Sequence, residues 1–329
     1  MNSSNTRRLC FLVGVDTEAD NLWGAAGSVS TENAAQVERF QSLCEQHGVR
    51  PTYFVDYDMA RDERFVKVGR DVLKRSVAEI GMHLHAWNTP PRHSLGSEGP
   101  SYLYEYPVPV MREKIRLVTR TLGETFGVKP VSHRAGRWGL NADYARLLAQ
   151  EGYTADSSVT PWMSWVNSPG VSEGSCGPDF RHFPSTPYLL DLDRIDRPGH
   201  SSLMEIPATV HLRRWSLRNA AKMGLRRLGV TRGRVARAAY DYEWFRAAEM
   251  TTERLLRMVH TSCHSGAEHM MFSLHSSELM AGGSLSFPTQ DSIERLYEML
   301  GVLFEAAARL CRPMTVQEFA KSRQASAAR

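Results

Sequence analysis

A chain of 329 residues with 42% hydrophobic and 23% charged residues has the make-up of a globular protein with one substantial core. Its net charge of +4 gives no overall field for nucleic acid, and no run of about twenty apolar residues offers a membrane span. The five cysteines (Cys10, Cys44, Cys176, Cys263 and Cys311) are odd in number, widely spaced and without a CxxC pair, which excludes a zinc ribbon or disulfide framework and predicts reduced thiols.

Apolar and helix-periodic segments alternate along the chain. Leu9–Val15 is a continuous apolar run, too short and too abruptly ended by Asp16 for a secretory leader, and reads as a buried first strand. Thr31–His47 carries helical spacing (Val37, Phe40, Leu43, Cys44) and stops at Gly48. A strand is expected at Thr52–Val55, a helix at Arg61–Arg75 and a strand at Glu79–His85. After a loop from Asn88 to Pro109, an amphipathic helix (Val110–Phe126), a strand (Val131–Arg134), a helix (Ala142–Glu151) and a strand (Tyr153–Val159) follow. Leu203–Val210 and Met270–His275 read as strands, Thr251–Ser265 and Asp291–Leu310 as helices, and Pro313–Val316 as a short last strand.

Repeated strand–helix units imply a parallel sheet covered by helices, and this many in one chain favour a barrel. The expected fold is an α/β distorted (β/α) barrel of about seven parallel strands, formed by a single domain spanning 1–329. Two segments break the rhythm. Pro161–Pro198 is long for a connector and reads as an excursion over the barrel mouth. Leu212–Ala238 carries nine Lys or Arg and no acidic residue, and reads as an insertion that lies on an anionic membrane or grips a lipid-linked diphosphate.

Ionisable residues fall at the ends of the predicted strands. Asp16 and Glu18, two apart after the first strand, share a face and need a metal or a basic partner if buried. His83 and His85 repeat that spacing, and an H-x-H pair on a strand presents two imidazoles to zinc. Arg134 closes the fourth strand, where a guanidinium holds a carboxylate ionised. Asp156 and His275 end two later strands. Asp, Glu, two His, Arg, Asp and His around one barrel mouth suit metal-assisted hydrolysis. Trp138 and the loop Trp162–Trp165 offer aromatic faces for a sugar ring.

The order of these motifs resembles that of the NodB-like polysaccharide deacetylases. It runs Asp16-Thr-Glu18, Glu79-Ile-Gly-Met-His83, Arg134-Ala-Gly, Asp156-Ser-Ser, Leu274-His275-Ser276 and the tail from Cys311 to Phe319. The resemblance covers about residues 9–320. It implies a distorted barrel and removal of an acetyl group, N-linked by expectation, from a bacterial surface sugar. By it, Asp16 is the general base, His275 the general acid, Arg134 the partner of Asp16, and Asp156 the group that orients His275. Glu18 and His83 bind a divalent metal, with zinc expected. The family places a second histidine four residues after the first. Position 87 is Trp, so His85 is the expected third ligand, with Asp20, Asn88 and His93 as further candidates.

With no export signal, the chain is expected in the cytoplasm, at the membrane if the basic segment binds there. Its substrate is then an acetylated amino sugar, lipid-linked or nucleotide-linked, and nucleic acid is not expected as a partner. Two other readings remain: a metal-independent hydrolase of cyclic imides or ureides on the same fold, and an inactive barrel that binds carbohydrate.

Overall fold

The protein is described from a computed structural model in which residues 8–20, 29–212, 242–248 and 250–327 are the described ones. Seven strands run parallel, in the spatial order β10-β1-β2-β3-β4-β5-β7, and curl into an open barrel. They are β1 (Cys10–Thr17), β2 (Thr52–Val55), β3 (Glu79–Leu84), β4 (Ser132–Ala135), β5 (Ala155–Asp156), β7 (Met204–Glu205) and β10 (His269–His275). β6 (Tyr188–Leu189) adds antiparallel to β7, and β11 (Arg312–Pro313) pairs with the start of β1. Outside the sheet lie α1 (Val37–Gln46), α2 (Glu63–Arg75), α3 (Val108–Phe126), α4 (Ala142–Gln150), α5 (Thr252–His264) and α6 (Gln290–Leu310). The expected barrel of about seven strands is the fold observed.

Closure is irregular, and the sequence shows why. The strand expected at Leu203–Val210 breaks after Glu205, because Pro207 has no N–H for the ladder. The backbone around Thr209 then bridges the gap to β10. Phe245 N donates to Thr209 O (2.9 Å), and Ser273 N donates to Phe245 O (3.1 Å). Residues 210–212 (β8) instead pair antiparallel with Tyr242–Trp244 (β9). The basic insertion expected over 212–238 falls, beyond Leu212, outside the described residues. β5 is shorter than the expected Tyr153–Val159, since Ser158 N and Val159 N donate to the side chains of Asp156 and Glu205.

Side-chain alternation sorts the sheet into two faces. Leu12, Phe54, Ala155, Met204, Ile206 and Met271 face inward and form a small core with Met314, Val316, Phe319 and Ala320 from the C-terminal segment. The short last strand expected at Pro313–Val316 is β11, which lies at Arg312–Pro313 and is shorter. Helix α7 (Val316–Ala327) follows it, opened by a reciprocal cap in which Glu318 N donates to Thr315 Oγ1 (3.3 Å) and Thr315 N to Glu318 Oε2 (3.1 Å). Glu79 holds this end of the barrel together. It accepts from Thr52 Oγ1 (2.9 Å), Ser132 Oγ and Gln317 N (2.9 Å), so the glutamate that opens the Glu79–His83 motif joins β2, β3 and β4 to α7. The larger core fills the space between the outer face and the helices. Among the described residues, no helix is long and apolar enough to cross a membrane.

Candidate active site

Inward-facing residues at the C-terminal ends of the strands meet in a cavity of about 380 Å³, within the range of small-molecule sites. Its walls include Asp16, Glu18, His83, His85, His275, Tyr102, Arg137, Trp138 and Trp165. Six of the seven sequence-predicted site residues therefore lie in it or, like Arg134, directly behind it.

Arg134 is fully buried, and its charge is used at once. Nη1 donates to Asp16 Oδ1 (2.6 Å) and Nε to Ser157 O (3.1 Å), while the guanidinium lies over the rings of Phe54 (4.4 Å) and Trp138 (5.1 Å). The pairing of Arg134 with Asp16 expected from the motif order is present. Burial alone would raise the Asp16 carboxyl, but Arg134, His83 and His275 outweigh it and hold it below the usual carboxylate range. Space for the guanidinium comes from Gly14, where a Cβ would sit 2.4 Å from Arg134 Nη2.

Glu18, His83 and His85 converge from β1 and β3. His83 Nε2 and His85 Nε2 each stand 3.2 Å from Glu18 Oε2, and 3.1 Å from each other. His83 Nδ1 lies 2.8 Å from the backbone carbonyl of Arg134, which can only accept, so Nδ1 carries a hydrogen and Nε2 of the neutral ring presents a lone pair. A lone pair aimed at a carboxylate and a second imidazole needs a proton or a cation between them. Donors bound tetrahedrally at about 2.0–2.2 Å stand roughly 3.3–3.6 Å apart, close to the spacing here. The chemistry and spacing of the three thus fit a divalent ion, and among the described residues they form the one such cluster of three or more. Burial lowers His83, but Glu18, Asp16 and Asp56 overcome it and raise its pKa; burial lowers His85 strongly, aided by His83. Close approach of His85 depends on Gly136, where a Cβ would lie 2.3 Å from its Cδ2.

The other ligand candidates point elsewhere. Asp20 accepts from Asn33 Nδ2 (2.6 Å), Asn88 donates to Asp58 (2.9 Å), and His93 packs against Tyr106 beside a separate cavity. Trp87, at the position where the resembled pattern has its second histidine, packs against the ring of His85 at 4.7 Å.

Asp156 requires a correction. It was expected to orient His275, yet it lies on the opposite face of the sheet. In register it aligns with His133 and Glu205, one residue out of phase with Arg134 and His83. His133 Nδ1 meets Asp156 Oδ1 at 2.5 Å and its Nε2 meets Tyr144 Oη of α4 at 2.7 Å, under the helix layer. Burial and the charge of Asp156 push Glu205 well above the usual carboxylate range. Asp156 is a structural residue of the outer face.

His275 instead meets Glu278 and Asp16. Its Nε2 is 3.6 Å from Asp16 Oδ2, and its Nδ1 is 3.8 Å from Glu278 Oε2, which also accepts from His275 N (3.0 Å). Burial opposes its charge, but Glu278, Glu18 and Asp16 raise it to about 9. Glu278 was not foreseen, although the spacing His275-Ser-Ser-Glu278 is that of a helix-capping pair. Arg137 was also missed. With a left-handed backbone (φ 56°) it donates to Pro100 O and to Pro169 O (2.9 Å), pinning two loops over the mouth. The excursion expected over the mouth from Pro161 thus reaches the cavity through Trp165 and Ser168, whereas Trp162 packs against the large core.

Replacing Gly14 by Ala forces the guanidinium away from Asp16. Overpacking of this kind is expected to cost about 1–3 kcal/mol, read as a lower urea midpoint, and an unchanged midpoint would contradict the packing described.

No family model matches the sequence, and no match is found among curated proteins. Solved structures do match in fold. One from Mycobacterium smegmatis, provisionally assigned as a polysaccharide deacetylase, is 16% identical with a TM-score of 0.56, covering 99% of this chain and 93% of its own. A Parabacteroides distasonis protein, provisionally a glycoside hydrolase or deacetylase, is 11% identical with a TM-score of 0.62, covering 97% and 72%. A 4-α-glucanotransferase of Thermococcus litoralis, 12% identical with a TM-score of 0.53, is matched over 95% of this chain but only 38% of its own. This chain has the fold of the NodB-like polysaccharide deacetylases.

Proposed function

We propose that the protein is a metal-dependent carbohydrate deacetylase acting on an N-acetylated amino sugar. The observation that supports this most is the buried convergence of Glu18, His83 and His85 beside an acid–base pair in one cavity. Glu18, His83 and His85 would hold the ion, and two imidazoles with one carboxylate suit zinc. When bound, it would polarise the acetyl carbonyl and lower the pKa of water.

The chain's own groups supply proton transfer. Asp16, kept ionised by Arg134, takes a proton from the attacking water. His275, protonated at neutral pH, donates to the leaving nitrogen from Nε2, the ring atom that faces Asp16. In the free protein both groups are therefore in the protonation states this chemistry needs. The indoles of Trp138 and Trp165 and the phenol of Tyr102 wall a space suited to one sugar ring. The basic sequence 212–238 would contact an anionic membrane or a lipid-linked carrier of the sugar.

Acetate release from N-acetylated oligosaccharides tests the proposal. Activity should be lost on chelation and restored by a divalent ion, and Asp16→Asn should lower kcat by at least 10²-fold with metal content retained. Activity that survives chelation would favour the metal-free C–N hydrolase, and an undiminished Asp16→Asn would remove Asp16 as base.

The general acid must be protonated, so activity should fall as pH rises through the His275 pKa. That limb is expected at or below about 9, since a bound cation disfavours imidazolium. A pH–rate profile flat to above 10 would contradict it.

A further inference from the structure

We propose that Glu278, anchored by Arg246, is the positioning residue of His275, which fixes the ring so that Nε2 delivers the proton. The inference rests on the reading of His275 as the general acid. Its basis is geometric. The Glu278 carboxylate is almost wholly buried and stands between the Arg246 guanidinium and the His275 ring. Oε1 accepts from Arg246 Nη2 at 2.9 Å, while Oε2 accepts from the backbone N–H of His275 at 3.0 Å and stands 3.8 Å from ring Nδ1. With Nδ1 on the Glu278 side, the other nitrogen faces Asp16 and the cavity.

Arg246 is itself held in place. Its guanidinium lies over the Trp244 ring at 4.8 Å, and Trp244 packs edge-on against Trp138 and Trp165, both in the cavity wall. Residue 246 also forms a backbone bridge to Ser273 of β10, two residues before His275. The carboxylate thus comes from the turn that follows the histidine, and its counter-ion from the segment that closes the barrel. No other carboxylate of the described residues reaches Nδ1: Asp16 stands at Nε2, and Asp156 lies on the outer face. The charged groups that face the ring are Glu278, Asp16 and Glu18, with His85 across the cavity.

A carboxylate behind an imidazole sets its tautomer and stabilises imidazolium; losing it should matter most when the leaving group needs a proton. The test compares wild type, Glu278→Gln, Glu278→Asp and Asp156→Asn as full-length, metal-loaded enzymes. Two substrates are used: an N-acetylated chito-oligosaccharide, whose amine must be protonated, and 4-nitrophenyl acetate, whose phenolate leaves unaided. In parallel, the His275 ring is titrated by ¹⁵N NMR. For Glu278→Gln we expect kcat on the amide to fall at least 30-fold with KM within threefold, and a loss on the aryl ester at least tenfold smaller. The His275 titration midpoint should drop by at least one pH unit, Glu278→Asp should recover part of both effects, and Asp156→Asn should leave the midpoint in place. Equal losses on both substrates, or a midpoint that moves with Asp156 and not with Glu278, would overturn the assignment. A wild type inactive on both substrates would sink the deacetylase reading, while the titration would still decide whether Glu278 governs His275.

Discussion

The guanidinium of Arg134 is fully buried inside the barrel, and the arrangement of the mouth follows from satisfying it. An unpaired charge there would cost several kcal/mol, and removal of one partner of such a pair typically costs about 3–5 kcal/mol. Asp16 supplies the opposite charge at 2.6 Å, Ser157 accepts at Nε, and Phe54 and Trp138 cover the guanidinium. Gly14 leaves the room it occupies. Because the Arg134 charge outweighs the cost of burial, Asp16 stays ionised next to His275, and the backbone carbonyl of the same arginine sets the tautomer of His83. One residue thereby fixes a charge on one side of the cavity and a lone pair on the other.

Strand alternation then separates chemistry from support. Inward residues at the strand ends (Asp16, His83, Arg134, His275) meet in the cavity. Outward residues at neighbouring positions (His133, Asp156, Glu205) form a polar network under α4. Both sets are ionisable and, apart from the partly exposed His275, buried, and they differ by a single step along a strand. Around the cavity, charges are compensated in pairs, Arg134 with Asp16 and Arg246 with Glu278. Glu18 faces two imidazoles, so a proton or a cation must complete its surroundings.

Much of this was legible in the sequence. Apolar runs ending at Asp16 and His275 identified β1 and β10, the alternation of strands and helices added β3 and β4, and together they placed Asp16, Glu18, His83, Arg134 and His275 at one mouth. The H-x-H spacing brought out His85 even though Trp87 stands where the resembled pattern has histidine. What failed depended on phase and on distance along the chain. Asp156 ends its strand as expected, but its facing is set by the register with β4, which a two-residue strand does not reveal. Glu278 was hidden in a turn, where its spacing from His275 signals only a cap. Arg246 reaches the site where the strand broken before Pro207 gives way to backbone that bridges to β10.

The most direct test of the account is the metal content of purified protein, measured by elemental analysis after loading with zinc and exhaustive dialysis. About one divalent ion per chain is expected in wild type, with most of it lost in each of Glu18→Gln, His83→Ala and His85→Ala. Folded protein that retains no ion under these conditions, or variants that bind as well as wild type, would contradict it.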